Sequence, residues 1–189
     1  MARRPPDDET LLGLARACAD VFVAAGDSSP TVATLVAAAG MSERSFHRYF
    51  PTKADCLRPI FDDGNQAYAA ALAAQPADRS LGEAVVAAFV ESNDAMSDDD
   101  ARAFMRTVFG DLQLRRVWLE ASYATAGVLR PAVAARIGAD EHAVATTVGC
   151  GQAIVLAISA LAHMVEDGLT AHEAAAAVGA ALFADVRHH

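Results

Sequence analysis

Lysine is almost missing from this chain, with Lys53 the only one among 189 residues. Cysteine is nearly as scarce: Cys18, Cys56 and Cys150 lie far apart in sequence with no C-x-x-C pair. That spacing argues against zinc ribbons and disulfide scaffolds, and it points to a reducing cytosol. Aromatic residues make up 6% and turn-forming residues are sparse, while alanine and leucine are plentiful. No run of alternating polar and apolar residues competes with helical spacing, so the expected fold class is all-α. H-E-x-x-H, G-x-S-x-G, a phosphate-binding glycine loop and paired carboxylates in apolar sequence are all lacking, so no enzyme, cofactor or metal is expected. The acidic run Ser97 to Asp100 lacks the central glycine and closing glutamate of a calcium loop and reads as a helix start. No secretory leader is expected either, because MARRPPDDET turns acidic where an apolar stretch should begin.

Charge is also missing from one long segment. From Ala143 to Val165 there is no Asp, Glu, Lys or Arg, which reaches the length of a membrane span. Acids flank it on both sides (Asp140, Glu141, Glu166, Asp167) and no Lys/Arg cluster orients it. The reading is therefore a helix of a domain core or subunit interface, with no membrane partner.

What is present is 53% hydrophobic residues with 21% charged, the composition of a globular protein. The net charge of −9 is unevenly placed. Residues 1–58 hold as many basic as acidic side chains, so the remainder carries all of it. Four bases fall between Arg44 and Arg58, and Arg3 and Arg4 form an N-terminal arm able to follow a nucleic-acid groove.

The most informative stretch is Gly40 to Lys53, GMSERSFHRYFPTK. Gly40 suits the left-handed cap that ends a helix, and Ser42 is an N-cap for the next. Helical spacing over Glu43 to Phe50 puts Phe46 and Phe50 on one face. Arg44, Ser45 and Arg48 fall opposite, with His47 and Tyr49 on the shoulders. Arginines grip guanine edges or phosphates, and hydroxyl, imidazole and phenol groups bond phosphate oxygens. Pro51 closes the helix, and Thr52 with Asp55 opens another, with Lys53 in its first turn. Upstream, Val32, Leu35, Val36 and Ala39 form a short apolar stripe, with Ser29 and Pro30 read as N-cap and first residue. Leu11, Leu14, Cys18, Val21 and Phe22 form a longer stripe ending at Ala25-Gly26.

Phe22 to Gly26, Ala39-Gly40 and Ser42, Ser45, Phe46, Tyr49, Phe50, Pro51, Thr52 and Lys53 make this segment resemble the TetR family of bacterial transcriptional regulators over about residues 9–57. The resemblance implies a helix-turn-helix domain (1–52) and a helical ligand-binding and dimerisation domain (53–189). It further implies a regulator, a repressor by expectation, that binds an inverted-repeat operator as a homodimer and is released by a small-molecule effector. On this reading Arg44 and Ser45 reach base edges, Arg48 serves bases or phosphates, and His47, Tyr49 and Lys53 hold the DNA backbone.

About nine helices are expected: 8–25, 31–39, 43–50, then one from Lys53 toward Ala74, kinked or broken at Pro59. Ser80 with Glu83 and Thr170 with Glu173 read as capping boxes, as does Ser97 with Asp100. Gly110 closes a short helix, and Gly138 stops one from Leu112 that Gly127 and Pro131 should bend. Asp140 caps the uncharged helix. The last two helices are rich in small residues, which suits a bundle between two subunits; alanine's helix propensity alone is the alternative. Phe89, Met96, Phe104, Met105, Phe109, Trp118 and Tyr123, with His163, either line a largely apolar effector pocket or are simply core. The competing function is a helical ligand-binding or scaffolding dimer without DNA recognition.

Overall fold

The computed structural model describes residues 7–93 and 99–184. Among them are nine α-helices and a short 3-10 segment, with no strand: α1 (Asp8–Ala25), α2 (Val32–Ala38), α3 (Glu43–Tyr49), the 3-10 turn Ala54–Leu57, α4 (Arg58–Ala74), α5 (Leu81–Ser92), α6 (Asp99–Gly110), α7 (Leu112–Ile137), α8 (Val144–Glu166) and α9 (Ala171–Leu182). The chain forms two compact units. The first runs to Asp63 and takes in Ala103–Ala121; the second comprises Gly64–Arg102 and everything from Ser122 on. Arg3, Arg4, Met96 and Ser97 lie outside the described residues.

In the first unit α1 begins where the Asp7 carboxylate accepts the Thr10 amide at 2.9 Å. Asp8 and Glu9 in its first turn complement the helix dipole. Ala15, Cys18, Ala19 and Phe22 recur on one buried face. The helix packs on α2 and on the 3-10 segment, while α2 packs on α3. The start of α2 differs from the expected Ser29-Pro30 cap. Asp27 accepts the Ser29 amide at 2.8 Å and turns the chain there, so the cap passes to Thr31, whose hydroxyl accepts the Thr34 amide at 3.2 Å.

The fourth helix also begins differently. Its first residues wind as a 3-10 segment, and the Arg58 amide reaches back to the Asp55 carbonyl. In a continuous α-helix that carbonyl would look to the nitrogen of Pro59, which has no hydrogen. The tighter winding supplies the missing donor and puts Pro59 in the first turn of α4, where it is tolerated. The helix is thus divided before the proline, not kinked at it.

The second unit has a core of Leu72, Val85, Phe89, Leu129, Leu156 and Met164, all 1% exposed or less. Two of the three expected capping boxes, Ser80 with Glu83 and Thr170 with Glu173, are complete. Helix α9 approaches α5 closely at Gly179, where a Cβ would stand 2.5 Å from Val86 Cγ2, with Leu156 Cδ1 of α8 at 3.7 Å. The buried Tyr68 hydroxyl donates to the Ala153 carbonyl at 3.2 Å, and its burial pushes the phenol's pKa up. The Arg136 guanidinium binds the carbonyls of Gln75, Pro76 and Arg79 at 2.8–2.9 Å and so closes the exit of α4.

Helix α7 runs unbroken through Gly127 and Pro131, and Gly138 ends it at φ +65°. Asp140 does not cap α8. Its carboxylate accepts the His142 amide and its carbonyl the Thr146 hydroxyl, which makes a turn and leaves Ala143 at the cap position without a side-chain bond. Helix α8 is long and apolar enough to cross a membrane, yet only 39% of its most apolar window is buried within the chain. Val144, Val148 and Val155 are exposed and fall on one face.

Candidate nucleic-acid interface

The α2–α3 turn is set by Gly40 at φ +63°, a conformation that costs other residues a Cβ clash. It lets the Met41 amide return to the Val36 carbonyl at 3.0 Å, the six-to-one bond of a Schellman cap. Ser42 then caps α3, its hydroxyl accepting the Ser45 amide at 3.2 Å and donating to the Ser45 hydroxyl at 3.0 Å.

Phe46 and Phe50 face inward, 0% and 4% exposed, their rings edge to face at 5.1 Å. With those anchors inward, Arg44, His47 and Arg48 stand exposed, and Ser45 and Tyr49 are half-buried at the margins. The His47 ring packs edge-on against Phe46 at 5.8 Å. The Arg48 guanidinium lies 4.5 Å from the Tyr49 ring centre and bonds its hydroxyl, so these two side chains present one surface. Lys53 is half-buried, and its ammonium donates to the Pro30 carbonyl at 3.2 Å. The helix opening beside it is a 3-10 turn of four residues, so it offers less dipole than the α-helix start expected there. The ammonium carries three donors, and one bond to Pro30 leaves two for an anion.

The far end of α3 is held from behind by Thr52 with Asp55, which the sequence paired, and by Arg116 and Asp111, which sequence reasoning missed. The Asp55 carboxylate accepts the Thr52 amide and hydroxyl at 2.8 and 2.7 Å. Arg116, on α7, donates to Asp55 at 3.1 Å and to Glu120 at 2.8 and 2.9 Å. Burial would push the Asp55 carboxyl up, but the Thr52 bonds and the Arg116 charge outweigh it and hold the group below the usual range. Asp111 acts in the same way on the other side. It accepts the Gln113 and Leu114 amides, capping α7, and also the Ser28 amide at 3.0 Å from the α1–α2 turn. Burial opposes its ionisation, and the Ser28, Leu114 and Gln113 bonds more than offset that, so its carboxyl too lies low. An aspartate directly after Gly110 and before an apolar stripe is an N-cap signal; nothing local announces Ser28 as its second partner. A cleft of about 700 Å³ opens behind α3, with Leu11, Phe50, Pro59 and Arg116 in its walls.

The residues expected around an effector occupy several settings. Phe89 is fully buried in the core of the second unit, edge-on to Tyr68 at 6.4 Å. Tyr123 is 82% exposed. His163 is exposed, paired with Asp167 at 2.6 Å, which corrects the expectation of a core histidine. In the first unit Phe104 stacks on Phe61 and Phe109 tilts onto Trp118 at 4.7 Å, while Met105 is buried. Phe89, Met105 and Trp118 are buried and Phe104 and Phe109 half-buried, and size did not foretell which unit each would join. Among the described residues no group of three or more His, Cys, Asp or Glu side chains could hold a metal ion.

Residues 14–60 match the family model described as bacterial regulatory proteins, tetR family. No curated protein matches the chain.

Proposed function

Because this chain belongs to the TetR family of bacterial regulatory proteins and is a transcriptional regulator of that family, we propose that it is a one-component repressor that binds an inverted-repeat operator as a homodimer. The observation that carries this reading is the outer face of α3, where exposed Arg44, His47 and Arg48 stand opposite the buried Phe46 and Phe50. Arg44 and Ser45 reach base edges in the major groove. Arg48, backed by Tyr49, serves bases or phosphates, and His47, Tyr49 and Lys53 fix the register on the DNA backbone. Residues 1–52 read DNA, while 53–189 bind the effector and dimerise.

The exposed apolar stripe of α8 supports the dimer, since Val144, Val148, Gly151 and Val155 recur with the spacing of a helix–helix seam. A dimer is also what places two reading helices one DNA turn apart. The effector is a largely apolar small molecule bound by the second domain, and α4 transmits its arrival to α3. Release requires that the effector favour the released state by about 1–3 kcal/mol. The protein works in the cytoplasm, without cofactor or membrane.

Selection from a random duplex library with the purified protein, followed by titration of the winner at several salt concentrations, tests the reading. An enriched inverted repeat bound more weakly as salt rises is expected. A folded helical dimer that enriches nothing would replace it with the alternative, a ligand-binding or scaffolding dimer without DNA recognition.

A further inference from the structure

The cleft behind α3 is walled wholly by the first unit: the start of α1, the end of α3 and the turn after it, the first residues of α4 and the first part of α7. Its volume of about 700 Å³ is that of a small-molecule site. Leu11, Phe50, Pro51 and Pro59 give it an apolar side. The charged side is unbalanced, because three carboxylates (Asp55, Asp62 and Glu120) face two guanidinium groups (Arg58 and Arg116).

The pairing shows where the surplus lies. Arg58 gives its Nε to Asp62 at 2.7 Å, one guanidinium to one carboxylate. Arg116 is shared: its Nη2 reaches Asp55 at 3.1 Å, and its Nη1 reaches both oxygens of Glu120 at 2.8 and 2.9 Å. Asp55 is bonded on both oxygens, since it also accepts the Thr52 amide and hydroxyl. Glu120 depends on that single Arg116 nitrogen, is exposed, and keeps a lone pair on each oxygen for a further donor. We propose that the cleft binds a small organic monocation, an ammonium on an apolar body, with the ammonium on Glu120 and the body against Leu11, Phe50, Pro51 and Pro59.

The chemistry ranks the ligand classes. An ammonium brings several N–H donors, of which Glu120 takes one or two and the side-chain carbonyl of Gln113, on the same wall, can take another. A concave wall excludes part of the solvent, so the field of the surplus carboxylate is screened less there than on an open surface. A neutral molecule with the same body gains the apolar contact alone. An organic anion gains that contact against a wall of its own sign, where Arg116 is already divided between two carboxylates. The order of affinity is therefore cation, neutral molecule, anion.

The test is calorimetric titration of the full chain at pH 7 and low salt with three probes that share one body: 3,3-diphenylpropylammonium, 3,3-diphenylpropanol and 3,3-diphenylpropionate. The ammonium should bind one per chain and more tightly than the alcohol by about threefold or more, with the carboxylate weakest. Glu120→Gln, a change at an exposed side chain, should remove the ammonium's advantage and leave the alcohol's affinity as it was. Leu11→Ala should weaken ammonium and alcohol alike, which places the body in the cleft. Circular dichroism of both variants checks that they keep the parent's helical content. No ammonium binding at about 1 mM, a carboxylate that binds as tightly as the ammonium, or an ammonium affinity untouched by Glu120→Gln would overturn the proposal. The titration uses no DNA, so it stands or falls apart from the DNA-reading role.

Discussion

Replacing Asp55 by alanine removes three contacts at the end of α3: the Thr52 amide, the Thr52 hydroxyl and the Arg116 guanidinium. The amide bond is of the capping kind and contributes about 1 kcal/mol. The hydroxyl bond adds a few tenths at most, because Thr52 is exposed and water replaces its partner. The ion pair is partly screened, with side chains 18% and 38% exposed, and Arg116 keeps Glu120, so its share is about 0.5 kcal/mol. The sum is about 1.5–2 kcal/mol, placed in the first unit. Trp118 is the only tryptophan, is 7% exposed, and belongs to that unit, so its fluorescence during urea unfolding at pH 7 reads the affected transition. Arg116→Ala should cost less, about 0.5–1 kcal/mol, since it leaves Asp55 with Thr52. The double variant should fall short of additivity by about 0.5 kcal/mol, the coupling of a direct pair. A loss below 0.5 kcal/mol for Asp55→Ala, or strict additivity, would refute the claim that α7 steadies the end of α3 through this pair.

Arg44→Ala should flatten the sequence preference of operator binding, whereas Lys53→Ala should weaken all duplexes alike and lower the salt slope by about one unit; competition titrations at three salt concentrations separate the two, and identical effects would sink the assignment. Gly179→Ala brings a Cβ to 2.5 Å from Val86 Cγ2 and should cost about 1–3 kcal/mol in urea unfolding, with Val86→Ala in the same chain restoring most of it. The carboxyls of Asp55 and Asp111 are both held low in the folded state. Their stabilisation is therefore complete above the unfolded value of about 3.9 and is lost as pH falls below it. The deficit of Asp55→Ala should accordingly be full at pH 6–7 and shrink below about pH 4, and a deficit that grows on acidification would contradict the sign.

Local chemistry carried most of the secondary structure. Ser42, Ser80, Thr170 and the left-handed glycines Gly26, Gly40 and Gly138 act within a few residues of themselves, and the chain starts or stops where they stand. The errors at α2 and α8 have one cause: Asp27 and Asp140 hydrogen-bond two residues on and make a turn, which competes with capping. What sequence spacing could not carry is contact at a distance. Asp55 with Arg116 and Asp111 with Ser28 are brought together by helix packing that no short motif encodes.

The same limit explains α8. An uncharged helix must be covered, but its composition is silent on whether its own chain or another molecule covers it, and here 39% of its most apolar stretch is buried within the chain. The open stripe runs through Val144, Val148 and Val155 while Thr146, Cys150 and Ala153 face the chain's own core. An apolar seam with half-buried Gln152 and Ser159 along one flank is the pattern of a surface meeting one partner along one line. On the dimer proposed above, that line is where a second copy of the chain covers α8.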